Sequence, residues 1–234
     1  MKENPIVTII HNKIETPIKI TSANPIVLII ENTSEFFALV SELKSQFAGE
    51  DGNFILLKED NRISFEKFGD IVSDVFDIDF GSKKIIYSLY KKLDNLSKED
   101  TLRLHLNKVN TCLAEFYNDL FDKIDLSLSF DEVETSDLLK TANVSLQVIY
   151  DSCLEKIVCY INAMTQLKSI EFFVFVHLKS ILSDNELDLL YKHCEREKVG
   201  LILIESCANR KKLSNEVAII ITSDLCEIVD NNTV

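Results

Sequence analysis

The chain has 234 residues, 46% of them hydrophobic and 27% charged, enough for one large domain, or one domain carrying a sizeable insertion, built around a packed core. Its 38 acidic and 25 basic residues leave a formal charge of −13, which excludes a surface broadly coated for nucleic acid and still allows a local basic lining. Residues 1–25 hold Lys2, Glu3, His11, Lys13, Glu15 and Lys19 and so lack the apolar run of a signal peptide. No apolar run approaches the roughly 20 residues of a membrane span, and both features predict a cytosolic protein.

In chain order, Val7 to Ile10, Ile18 to Ile20, Val27 to Ile30 and Phe54 to Leu57 read as strands, and Phe172 to Val176, Leu201 to Ile204 and Val217 to Ile221 follow near the end. The best of them are continuous in Ile, Val and Leu, as in strands buried on both faces of a mainly parallel sheet, so one sheet is predicted from all seven. A helix is expected over Ser34 to Phe47, where Phe36, Phe37, Leu39, Val40, Leu43 and Phe47 fall at helical spacing after a cap at Asn32, Thr33 or Ser34. Another is expected over Ser183 to Glu197, opened by the capping-box arrangement Ser183-Asp184-Asn185-Glu186.

The middle third, Phe65 to Lys168, repeats Leu and Ile at i, i+3, i+4 and i+7. The sets are Ile85, Ile86, Leu89, Tyr90 and Leu93, then Leu102, Leu106, Val109, Leu113, Phe116 and Leu120, then Leu146 to Leu167. Long amphipathic helices are predicted there, with Asp125 to Asp137 as an ordered connection leading into a short helix. The fold class expected is α/β, a domain assembled from both chain ends with a helical arm inserted between them. The six cysteines include no C-x-x-C pair and read as buried free thiols.

Common catalytic signatures are missing. The strand at Val27 to Ile30 runs into Glu31-Asn32-Thr33-Ser34 and a helix, yet this turn has neither the glycines nor the lysine that cradle phosphates in a P-loop. There is no G-x-G-x-x-G, H-E-x-x-H or G-x-S-x-G. In a parallel sheet Glu31, His177 and Glu205 would each lie at the carboxyl end of a strand, where two carboxylates and an imidazole could support a metal-dependent hydrolase. The plainer reading is that they cap helices and face water.

The acids Asp119, Asp122, Asp125, Asp131, Glu132, Glu134 and Asp137 could offer oxygens to calcium or magnesium without matching an EF-hand loop, or form a solvated face. Basic residues cluster as Lys83-Lys84, Lys91-Lys92 and Arg210-Lys211-Lys212, with Arg103, Lys108, Lys140 and Lys156 dispersed. No aromatic residues interleave with them in a stacking pattern.

The order of segments is more specific than any single motif. Asn24 through Val40, Asp70 through Asp79, Leu126 through Val133, Phe172 through His177, Leu182 through Glu186 and Val199 through Glu205 together resemble the CRISPR-associated spacer-acquisition protein of subtype II-A loci, the Csn-two family, over nearly the whole chain. The resemblance implies an α/β head of P-loop-like topology without a nucleotide site, over 1–68 and 160–234, and an inserted helical leg over 69–159. It implies no enzymatic activity. Function is expected as a homotetrameric ring that holds double-stranded DNA ends without sequence specificity, beside the integrase proteins and the type II RNA-guided nuclease, with calcium ordering the legs.

Among residues, Lys140 falls at a basic position of the family's leg, and Asp131 and Glu132 match its acidic turn. Ser127 and Ser129 stand where short members carry acids, so calcium would turn to Asp119, Asp122 and Asp125. The DNA-binding residues expected are Lys140, Lys156, Arg103, Lys108, Lys83 and Lys84.

Overall fold

The computed structural model describes residues 6–207, 212–213 and 215–230. The backbone divides into two compact units, one made of the described residues up to Ile78 and from Ile149 onward, the other of Asp79–Val148. The limits expected from sequence, 68 and 160, stand beside unit limits of 78 and 149.

The first unit holds two sheets, where the apolar runs predict one. Strands β1 (Val7–His11) and β2 (Ile14–Ile20) form a hairpin that continues through β4 (Ile55–Lys58) and β5 (Asn61–Ile63) as an antiparallel sheet in the order β2-β1-β4-β5. The split has a physical sign in the residues: β1 and β2 bury alternate positions, as strands with one face on a core do. A short segment, Asn12 and Lys13, joins them, which suits antiparallel pairing and not a crossover.

The second sheet is mainly parallel. It contains β3 (Ile26–Ile30), β6 (Gly69–Val72), β7 (Phe172–Val176), β8 (Gly200–Glu205), β9 (Val217–Ile221) and β10 (Glu227–Asp230), in the order β10-β9-β3-β8-β7-β6. All neighbours run parallel except the β9–β10 pair. Every residue of β3, β7 and β8 is buried, which is why these strands lack alternation.

Helix α1 (Thr33–Phe47) supplies Leu39, Leu43 and Phe47 to one core, together with Ile9, Ile18 and Ile20 of the antiparallel sheet and Leu28, Phe172 and Ile204 of the parallel one. A short helix α2 (Phe65–Phe68) leads into β6. Helices α6 (Cys153–Lys168) and α7 (Asp184–Glu197) complete the unit. Tyr160 of α6 meets Phe173 of β7 edge-on, with ring centres 6.2 Å apart. The expected cap at Ser183 is present as a full capping box with Glu186.

The second unit holds α3 (Lys83–Ser97), α4 (Asp100–Phe121) and α5 (Thr135–Thr141). The helix expected from Leu146 starts only at Cys153, where the Ser152 side chain accepts from the Glu155 N–H and caps it. The cysteines are free thiols, but only Cys194 is buried, with burial pushing its thiol up to about 12, while Cys112, Cys207 and Cys226 are exposed.

Candidate functional site

Three adjacent parallel strands, β3, β8 and β7, end on the same edge and carry Glu31, Glu205 and His177 there. The edge draws two of them together. His177 Nδ1 lies 3.7 Å from Glu205 Oε2, and the buried Glu205 carboxylate also accepts the Lys179 N–H at 2.8 Å. Burial raises the Glu205 pKa above the ordinary carboxylate value, opposed by the Lys179 N–H and the His177 ring. His177 adopts a left-handed backbone with φ of 59° and stacks on Phe36, ring centres 5.0 Å apart. Glu31 is exposed just past β3.

Behind this pair lies a buried network. Lys179 Nζ donates to both oxygens of Glu216 at 2.7 and 2.8 Å, and the Tyr191 hydroxyl donates to the same carboxylate at 2.7 Å. The polar groups of the edge thus satisfy one another, as buried charges must. Among the described residues, no group of three or more His, Cys, Asp or Glu is arranged to hold a metal ion, Glu31, His177 and Glu205 included.

The turn between β3 and α1 is closed to phosphate by its own side chain. Asn32 Oδ1 accepts from the Ser34 and Glu35 N–H groups, each at 3.1 Å, while its Nδ2 donates to the Ser223 carbonyl at 3.1 Å. Those N–H groups at the helix start are the ones a P-loop would offer to a nucleotide. Glu31 and Glu35 add negative charge beside them.

The basic candidates lie on both units. Lys83, Lys84 and Lys91 are exposed along one stripe of α3, opposite the face that buries Ile85 and Leu89. Lys83 and Lys84 occupy the first turn, which contains no acid, so two cations stand at the positive end of the helix dipole where carboxylates would be favoured. At the other end of the helix Lys98 pairs with Asp94 at 3.0 Å, whereas Lys83 and Lys91 have no carboxylate partner among the described residues. Between them, at i+4 from Lys83 and i−4 from Lys91, stands Tyr87 with 70% of its surface exposed. No aromatic is expected among the basic residues from the sequence; the helical period places this one there.

Arg103 and Lys108 are exposed on α4, five residues apart and so on different sides of the helix. Lys140 on α5 is exposed and 3.4 Å from Asp137. Lys156 on α6 belongs to the first unit, where it donates to the Phe76 carbonyl at 3.0 Å and lies 5.8 Å from the centre of the Tyr150 ring. Of the cluster expected at 210–212, Arg210 and Lys211 lie outside the described residues, and Lys212 is held by Asp230 through its carbonyl and carboxylate, at 2.7 and 3.0 Å.

The acids sit at the end of α4 and in the segment after it. Phe130 folds back onto Tyr117 and Phe121, with ring centres 5.0 and 6.1 Å apart, leaving Asp119, Asp122, Asp125, Asp131 and Glu132 exposed. Among the described residues they do not gather into a group of three or more.

Helix α4 buries none of its 22 residues. Its apolar positions Leu102, Leu106, Val109, Leu113, Phe116 and Leu120 alternate spacings of four and three, the seam of a coiled coil, and Phe116 is 58% exposed.

Residues 46–225 match the family described as CRISPR-associated protein (Cas_Csn2). No curated protein matches the sequence. Among solved structures, the chain is similar in fold to Stu0660 of Streptococcus thermophilus, with a TM-score of 0.59 at 11% identity, over 96% of this chain and 75% of that one. A bacterial Atm1-family ABC exporter with ATP bound overlaps 95% of this chain and 38% of its own, at 12% identity and a TM-score of 0.42. A putative ABC transporter ATP-binding protein from Pyrococcus furiosus overlaps 92% and 94%, at 12% identity and a TM-score of 0.38.

Proposed function

The chain belongs to the Cas_Csn2 family of CRISPR-associated proteins, and from that premise we propose that it binds the ends of double-stranded DNA, without catalysis and without reading sequence, during spacer acquisition. The observation that carries this reading is the stripe of Lys83, Lys84 and Lys91 on α3, cations set at the wrong end of a helix dipole on a chain of net charge −13. A stripe kept at that local cost is best used on phosphates, whose contacts fix position and carry no sequence information. Arg103, Lys108, Lys140 and Lys156 extend the set.

Assembly into a homotetrameric ring belongs to the same proposal, supported by the α4 seam, of which Leu106 and Leu113 are half-buried and the rest exposed within one chain. A ring would let few cations converge on one duplex. The integrase proteins and the RNA-guided nuclease are the proposed partners, in the cytoplasm; no described helix is long and apolar enough to cross a membrane. Calcium belongs to the proposal as an ion held by Asp119, Asp122, Asp125, Asp131 and Glu132 together with other oxygens, since among the described residues these acids form no group of three or more by themselves.

The test is a gel shift comparing linear with covalently closed circular duplex of one sequence. Retardation of the linear form alone, steeply weakened by salt, is expected. Equal retardation of both forms would replace end threading by a surface groove, and retardation of neither would remove DNA from the proposal.

A further inference from the structure

Tyr87 has an exposed ring with lysines one turn before and one turn after it on the same stripe, while Tyr90, three residues on, is tied down within the second unit by donating its hydroxyl to the Leu139 carbonyl at 3.1 Å. Among the described residues Tyr87 has no ring contact and no hydrogen bond of its side chain. Along its length a duplex offers phosphates to lysines and nothing to the face of a ring, since paired bases are stacked on each other, and its end adds the one open face of the last pair. An unpaired strand offers both, because each of its bases has a free π-face.

We propose that α3 binds the unpaired single strand that extends from a frayed or resected DNA end, with a base stacked on Tyr87 and the flanking phosphates on Lys83 and Lys91. The stripe from Lys83 to Lys91 runs about 12 Å along the helix axis, room for about three phosphates of a strand at stacked spacing. The inference rests on the proposed binding of duplex ends and adds what lies beyond the last base pair. Nothing in it requires the base to be of one kind.

The experiment is fluorescence anisotropy of the full chain with a blunt duplex and with the same duplex bearing a short thymine tail. The tailed probe is expected to bind about tenfold more tightly. In Tyr87→Ala the ratio of the two affinities should fall to near unity, and Tyr87→Phe, which keeps the ring, should preserve it. Because Tyr87 is largely in solvent, both variants are expected to melt with the parent. A parent that binds blunt and tailed probes equally, or a ratio that survives in Tyr87→Ala, would overturn the tail proposal and leave duplex-end binding standing. Failure to bind either probe would overturn both. Displacement of the tailed probe by polyglutamate as readily as by unlabelled tailed DNA would assign the stripe to an acidic protein and overturn the proposal as well.

Discussion

Tyr160 of α6 donates its hydroxyl to the carboxylate of Asp70 on β6 at 2.5 Å, a buried bond between residues ninety positions apart. Burial and the neighbouring carboxylate hold the Tyr160 pKa far above its ordinary value, so the hydroxyl remains a donor at any pH the fold meets. Tyr160→Phe removes a buried bond to a charged acceptor and is expected to cost about 1–3 kcal/mol, read as a melting temperature lower by several degrees. An unchanged melting curve would mean that this bond adds nothing to the fold.

Glu205 should make stability depend on pH. Its folded pKa lies above the unfolded value, so the folded chain holds the proton more firmly, and stability is lost as pH rises through the folded value. Glu205→Gln can still accept the Lys179 N–H and carries no buried charge. Thermal melts over a pH series are expected to show the decline above the ordinary carboxylate range in the parent and a flatter profile in the variant. A variant as steep as the parent would place the titration elsewhere.

Nucleotide should leave the protein unmoved, because the Asn32 carboxamide already takes the N–H groups at the start of α1. Magnesium and ATP in excess are expected to give no rise in melting temperature, whereas a bound ligand would raise it. Asn32→Ala is expected to cost about 1 kcal/mol by loss of the cap.

Charge removal on α3 separates phosphate binding from shape. Replacing Lys83, Lys84 and Lys91 with Gln is expected to weaken duplex binding alike for unrelated sequences and to reduce the slope of log affinity against log salt by up to about 3 per chain. A slope equal to that of the parent would move the phosphate contacts off this helix.

The α4 seam should govern assembly. Val109→Asp with Phe116→Asp alters two residues that are 38% and 58% exposed in the chain, so folding of the single chain is expected to change little. Light scattering should report a smaller particle than for the parent. An unaltered mass would mean that the seam is not what joins the copies.

Strands β3, β7 and β8 were legible in the sequence because burial on both faces writes itself as an unbroken apolar run, and α7 because its cap has a spelled pattern. The division into two sheets was not, since an apolar run does not name its neighbour. Nor was β6, four residues long with Asp70 inside it. At the sheet edge, topology alone placed Glu31, His177 and Glu205, but the pairing of Lys179 with Glu216 joins residues 37 apart through tertiary packing. Tyr87 is readable from its spacing to Lys83 and Lys91, a period that the adjacent pairs Lys83-Lys84 and Lys91-Lys92 obscure.

Strand β3 has a further consequence, in time. Its two neighbours, β8 and β9, begin at Gly200 and Val217, so both follow its end at Ile30 by roughly 170 residues or more. At about 5–20 residues per second, the ribosome needs on the order of ten to thirty seconds to supply the first of them. Through that interval the apolar run Ile26 to Ile30 has been made and has no partner strand, so the newborn chain can cover only the face of Ile26, Leu28 and Ile30, with α1 and the β1–β2 hairpin that share its core.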